Sequence, residues 1–251
     1  MPLNIELGLG IVGLGRPWGY IPGEVPSEPD AIRLLERAYE IGIRYFDSAP
    51  SYGVAEERLG KFLASLDARE RSQVRIATKF GEHWDAARQQ PFVDHSYDAL
   101  CRSLDTSLER LKRIDVLQLH KTTPAALASR DVVRAWNYAH ESCVPMIGAS
   151  VSDLESAGMT IGDVRYSAIQ LPLNRTHVQF SAAVAQAAAR GMWVATNRPF
   201  AMGALLYGEN ATTAEDAFRF VVEHRFTGVV LTGTKVEQHL LRNWGAFRAM
   251  L

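Results

Sequence analysis

Apolar residues along this chain follow two alternating rhythms. Short runs of β-formers are separated by longer stretches in which apolar positions return every three or four residues, the spacing of one helix face. Leu7 to Leu14 is apolar and glycine-rich and predicts a first strand. Ser27-Glu28-Pro29-Asp30 then opens a helix, with Ser27 as cap, Pro29 in the first turn and acids where the macrodipole favours them. Ala31, Leu34, Leu35, Ala38 and Ile41 form its apolar face, and Gly42 ends it. Ile43 to Phe46 predicts the second strand, Glu56 to Ser65 the next helix, and Val74 to Lys79 the third strand. A long loop, Phe80 to Asp94, precedes a helix capped near Ser96 with Ala99, Leu100, Leu104, Leu108 and Leu111 in register. Asp115 to His120 reads as the fourth strand, and Thr123-Pro124 starts a helix through Ala139. Pro145 to Ala149, Tyr166 to Leu171, Met192 to Thr196 and Gly228 to Leu231 complete the strands. Helical patterns near Leu154, from Val178 to Arg190, from Thr213 to His224 and from Val236 to Phe247 separate or follow them.

Strands that alternate with helices pair in parallel, because a parallel neighbour requires a crossover. A closed (β/α)8 TIM barrel satisfies this pattern, and 251 residues suit one such barrel as a single domain spanning 1–251. No Gly/Ser linker, low-complexity tract or composition shift divides the chain. Gly8, Gly10, Gly13 and Gly15 do not make a dinucleotide fingerprint, since no helix follows at once.

Composition narrows the partners. Hydrophobic residues make up 47%, ample for a large core, and the formal net charge of −1 offers no field for nucleic acid or an anionic membrane. A small molecule is the expected partner. Cys101 and Cys143 have no metal-ligand spacing, so no metal is expected. The N-terminus lacks a signal-peptide pattern and no stretch reaches membrane-spanning length, so the expectation is a cytoplasmic protein.

Barrel active sites gather at the C-terminal ends of the strands. Asp47, Lys79 and His120 each end a successive strand, and Tyr52 lies in the turn after the first. Singly each has a structural explanation, as cap, solvated cation or packed imidazole. Together they suit proton transfer: a tyrosine of ordinary pKa about 10 needs a neighbouring ammonium to act near neutrality. Lys79 could serve if Asp47 pairs with it, and His120 could orient a substrate oxygen.

These residues, set in F-D-S-A-P-S-Y-G, I-A-T-K-F-G and V-L-Q-L-H-K, resemble the catalytic tetrad of the aldo-keto reductase superfamily. E-E-R-L-G at Glu56 to Gly60 and S-L-E-R-L at Ser107 to Leu111 extend the resemblance. It implies an eight-stranded barrel enzyme that reduces an aldehyde or ketone with NADPH, ahead of NADH, and needs no metal. Tyr52 would be the general acid, tuned by Lys79 and Asp47, with His120 positioning the carbonyl. Ser150 and Gln170 match the family's carboxamide contacts, whereas Val151 replaces a usual asparagine. Asn197, followed by Arg198, stands where a tyrosine stacks on the nicotinamide in relatives. Gly233, Thr234, Lys235, His239 and Asn243 resemble the adenosine-phosphate segment, with His239 in place of a frequent arginine. Trp18, Tyr20 and Trp84 are candidates for the substrate wall. Two other classes remain open: a cofactor-binding regulatory module with little turnover, and a non-redox lyase or isomerase using the same Tyr/Lys pair.

Overall fold

The computed structural model describes residues 4–19, 23–207 and 211–250. Its strands are β1 (Ile5–Gly10), β2 (Tyr45–Asp47), β3 (Arg75–Phe80), β4 (Glu82–Asp85), β5 (Gln90–Val93), β6 (Val116–Leu119), β7 (Met146–Ser150), β8 (Ala168–Pro172), β9 (Trp193–Asn197) and β10 (Gly228–Thr232). The helices are α1 (Glu28–Glu40), α2 (Ala55–Ser65), α3 (Ala68–Gln73), α4 (Tyr97–Leu111), α5 (Pro124–Leu127), α6 (Arg130–Glu141), α7 (Leu154–Gly162), α8 (Ser181–Ala189), α9 (Ala214–Val222) and α10 (Glu237–Arg248).

Eight strands close a parallel barrel in the order β1, β10, β9, β8, β7, β6, β3, β2, while β4 and β5 form a separate antiparallel hairpin. Closure runs through β1 and β10, where Ile5 pairs with Gly228 and Leu9 with Thr232. Side chains alternate across each strand. Tyr45, Ala77, Val116, Ala168, Ala195, Val229 and Leu231 pack with one another inside the barrel. Their neighbours Phe46, Ile76, Leu117, Ile147, Ile169, Val194 and Val230 belong to the larger core under the helices. The large Tyr45 shares this layer with the small Ala77, Ala168 and Ala195, and the absence of a side chain at Gly8 leaves room beside its ring. At the N-terminal ends of the strands Tyr45 stacks on Trp193 at 6.1 Å, and the Arg75 guanidinium covers Trp193 at 4.2 Å.

The helices form for local reasons and are held by burial. Ser27 caps α1 by accepting from the Asp30 N–H, and Ala31, Leu34, Leu35 and Ala38 are buried. Leu59, Phe62 and Leu63 of α2 are buried, with Phe62 against Phe46 at 5.5 Å. Each such side chain contributes roughly 1.5–3 kcal/mol.

Four features differ from the pattern of the sequence. The first strand stops at Gly10, and Val12–Leu14 makes a 3-10 turn after Ile11 N–H donates to the Asp47 carbonyl. The expected loop from 80 to 94 contains the β4–β5 hairpin, turned by Asp85, whose Oδ1 accepts from the Ala87 and Arg88 N–H groups at 3.0 Å. The helix expected to run from Thr123 through Ala139 is two, because Ser129 restarts it as a second cap on the Asp131 N–H. Short α3 was not foreseen and rests on a capping box between Asp67 and Glu70. No helix among the described residues is long and apolar enough to cross a membrane.

Candidate active site

The two-residue period of the strands aims one set of polar residues into the barrel mouth. Tyr45 and Ala77 point inward, so Asp47 and Lys79, two positions further on, do as well. The same step from Val116 leads to Gln118 and then His120, from Ala168 to Gln170, and from Ala195 to Asn197. Ser150 lies level with Gln170 in the β7–β8 register.

Lys79 and Asp47 form a buried ion pair: Nζ lies 2.7 Å from Asp47 Oδ1, and the side chains are 1% and 5% exposed. Nζ also donates to the Ser48 carbonyl at 2.8 Å. Burial alone would drive the proton from Lys79, but the Asp47 carboxylate and the Tyr52 phenol outweigh it and hold the ammonium above its ordinary pKa. Asp47 is pushed upward by its own burial and pulled back by Lys79, Gln170 and Gln118. Burial prevails for Asp47, whose carboxyl sits above its ordinary value, while the Lys79 ammonium is held above its own by the contact at 2.7 Å. Gln170 Nε2 and Gln118 Nε2 donate to Asp47 Oδ2 at 3.2 and 3.5 Å. These two amides were not foreseen as partners of Asp47, although Gln118 shares a face with His120 and could have been read from that spacing.

Tyr52 is placed by a tight turn. Its N–H donates to the Ala49 carbonyl, Ser48 N–H reaches across to Ala77, and Gly53 takes a φ of 62°. A Cβ at Gly53 would overlap the Gly15 carbonyl oxygen, and one at Gly15 would overlap the Tyr52 carbonyl oxygen. The two backbones touch where no side chain fits. Lys79 Nζ stands 5.1 Å from the Tyr52 ring centroid, and His120 meets that ring edge-on at 6.0 Å. Burial raises the phenol pKa, more than Lys79 lowers it, so the expected lowering is present only as an opposing contribution. Tyr52 therefore keeps its phenolic proton more firmly than an exposed tyrosine does.

His120 is held neutral: burial, then the charges of Lys79, Lys121 and Arg16, lower its pKa well below the usual imidazole range. Its Nδ1 lies 3.2 Å from Glu82 Oε2, out of line for a hydrogen bond. Glu82 is buried on the first residue of the hairpin, accepts from Ser51 Oγ at 2.6 Å, and lies 3.3 Å from Lys121 Nζ. This carboxylate joins the Tyr52 turn, the hairpin and His120. No local motif announces it.

The residues expected to hold a dinucleotide lie on the same rim. Gln170 Oε1 and Asn197 Oδ1 are buried without partners, acceptors suited to a carboxamide NH2. Arg198 adopts a left-handed φ of 57°, and its carbonyl accepts from Asn174 Nδ2 at 2.7 Å. Val151 is buried and offers only its apolar side chain. After β10, Gly233 is exposed and Thr234 Oγ1 accepts from Val236 N–H at 3.0 Å, while no side chain caps α10. Lys235 Nζ donates to the Glu24 carbonyl at 2.8 Å. His239 is exposed on the first turn of α10, and Asn243 lies one turn further on. Such an uncapped helix start, flanked by a lysine, fits a phosphate.

Of the expected substrate wall, Trp18 is 43% exposed and Trp84 half-buried. Both rings lie within 6 Å of the Arg16 guanidinium, at 5.4 and 5.9 Å. Tyr20 lies outside the described residues. A cleft of about 470 Å³ beside the hairpin is lined by Trp84, Pro50 and Arg102 among others and by none of Asp47, Tyr52, Lys79 and His120.

Comparison with known proteins agrees with this geometry. The model of the Aldo/keto reductase family matches residues 6–216. The chain is similar to L-galactose dehydrogenase of Arabidopsis thaliana, 36% identical over 122 residues, covering 47% of this chain and 36% of that protein. It is 34% identical over 158 residues to pyridoxal 4-dehydrogenase of Microbacterium luteolum, covering 52% of this chain and 43% of the relative. The chain thus spans less than half of the length of these curated relatives. Among solved structures, the glycerol dehydrogenase of Gluconobacter oxydans superposes with a TM-score of 0.77 at 21% identity, covering 98% of this chain and 87% of that one. An aldo-keto reductase of Bacillus halodurans, in holo form, gives 0.75 at 20%, covering 96% and 86%. The closed barrel, the tetrad at its mouth and a family match across most of the sequence together establish that the chain belongs to the aldo/keto reductase family.

Proposed function

We propose that this protein reduces an aldehyde or ketone to an alcohol with NADPH, Tyr52 giving the proton to the carbonyl oxygen. The observation that carries this is the buried Lys79–Asp47 ion pair beside the Tyr52 ring. A charge pair taken so far out of water is costly and of little net benefit to stability, which favours a chemical use for it. The raised pKa of Tyr52 keeps the phenol protonated at neutral pH, as an acid must be before it donates. When the proton leaves, the Lys79 ammonium stabilises the phenolate left behind. Neutral His120 directs the carbonyl by hydrogen bonding without adding charge.

NADPH, when bound, supplies hydride to the carbonyl carbon. The orphaned acceptors of Gln170 and Asn197, with Ser150 beside Gln170, fit the carboxamide end. Gly233, Thr234, Lys235, His239 and Asn243 would hold the adenosine-phosphate end, Lys235 exchanging the Glu24 carbonyl for a 2′-phosphate. Asn197 and Arg198 would face the nicotinamide half.

The test is a fluorescence titration with NADPH and with NADH, followed by loss of reduced-nicotinamide absorbance over a panel of aldehydes and ketones. Tight NADPH binding with turnover is expected, and K235M should weaken NADPH binding about 10-fold more than NADH binding. Binding without turnover of any carbonyl would indicate a regulatory module, and no nicotinamide binding a non-redox enzyme.

A further inference from the structure

We infer that Arg16 is the anchor for an anionic substrate, so that the carbonyl compound reduced at Tyr52 carries a carboxylate a few bonds from its carbonyl group. The inference rests on the carbonyl-reductase reading above. It specifies the substrate class of that site.

Arg16 follows the 3-10 turn after β1 and stands at the rim of the mouth. Its guanidinium carbon lies 5.6 Å from the Tyr52 ring centroid, with the Trp18 and Trp84 rings at 5.4 and 5.9 Å. It is half-buried, and its Nε is shielded from solvent with no acceptor. Among the described residues no carboxylate comes within ion-pair distance of it and no oxygen accepts from its side chain. Glu82, the buried acid of this rim, is already shared by Ser51, His120 and Lys121. The Nε atoms of Arg71 and Arg113 also lack an acceptor, but their guanidinium groups donate elsewhere, Arg71 to the Leu66 carbonyl and Arg113 to Asp115, and Arg110 pairs with Glu56 and Glu57.

A shielded guanidinium N–H without an acceptor costs stability that packing must offset. Aromatic neighbours hold such a cation through their ring faces yet supply no acceptor for its N–H groups. A planar guanidinium fork is matched by a planar carboxylate. The guanidinium carbon lies 5.6 Å from the centroid of the Tyr52 ring, with the phenolic oxygen at the edge of that same ring, so a substrate that reaches both groups is short. Lys121, 54% exposed on the far side of Glu82, adds positive potential that draws an anion in.

The experiment compares kcat/KM for 4-oxobutanoate and for its neutral methyl ester in the wild type, R16Q and R16K. The wild type should prefer the acid, and R16Q should lower the acid-to-ester ratio about 10- to 100-fold. R16K should restore part of that ratio, because it keeps the charge and loses the fork. An unchanged ratio in R16Q, with both substrates slowed alike, would show that Arg16 only braces the aromatic rings and would overturn the inference while leaving carbonyl reduction intact. Turnover of neither compound by the wild type would count against the reductase reading. Tryptophan fluorescence titration with succinate and with succinamide then decides the role of Arg16, since Trp18 and Trp84 flank it. Quenching by succinate that R16Q abolishes supports the anchor, and equal responses to the two compounds refute it.

Discussion

Replacing Lys79 by Met removes one half of the buried pair and leaves Asp47 alone. At 2.7 Å the attraction between the two charges is about 6 kcal/mol for an effective dielectric near 20. The desolvation of both ions consumes several kcal/mol each, so the intact pair adds little net stability, whereas an orphaned charge costs about 3–5 kcal/mol. Asp47 has an escape, which is to take up a proton. At pH 7 that costs about 4 kcal/mol from an ordinary carboxyl pKa near 3.9, so the destabilisation of K79M should settle at 3–4 kcal/mol. The sign of its pH dependence follows. Unpaired and buried, Asp47 binds its proton more tightly folded than unfolded, so K79M loses stability as pH rises above about 3.9. The deficit against the wild type should therefore be greatest at neutral pH and shrink by about 1.4 kcal/mol per unit toward pH 4. Urea unfolding followed by far-UV circular dichroism at four pH values measures it. The double variant D47N/K79M should be more stable at neutral pH than the sum of the single losses. A K79M deficit below about 1 kcal/mol, or one independent of pH, would refute a buried ionised pair.

Y52F should slow carbonyl reduction about 10²- to 10⁴-fold while NADPH binding, read by fluorescence, changes little; reduction at the wild-type rate would remove Tyr52 as the acid. G15A places a Cβ on the Tyr52 carbonyl oxygen. It should cost about 1–3 kcal/mol in urea unfolding and about 100-fold in kcat, and full activity would show that the turn can yield. For His120, burial and then its cationic neighbours depress the folded pKa below the unfolded value near 6.5, so its contribution is present above that pH and lost below it. H120N should flatten the acid-side fall in stability by up to about 1.4 kcal/mol per pH unit below 6.5, and parallel curves for the two proteins would contradict this.

The barrel was legible because its information is local and periodic. Apolar runs, helix faces and caps such as Ser27 each declare themselves within a few residues. Asp47, Lys79 and His120 could be found for the same reason, since each ends a strand and the period of two aims it. Arg16 and Glu82 could not. Their roles depend on contacts with Trp84, Ser51 and His120 across tens of residues, made by a hairpin whose second strand is exposed and whose apolar pattern is too short to read. The split of the helix after Thr123 is hard to read because apolar residues flank Ser129 on both sides with no Pro or Gly between them, although serine is itself a favoured cap. The direction of the Tyr52 shift is not legible in the chain because burial, which has no sequence signature, exceeds the influence of the neighbouring ammonium.

The backbone contact between Gly15 and the Tyr52–Gly53 turn bears on how this protein can be redesigned. It fixes the backbone of the Tyr52 turn through main-chain contact. Residues 17–19 and the exposed strand 90–93 can therefore be varied in a combinatorial library while that turn stays in place. Gly15 and Gly53 are the two positions such a library should leave untouched.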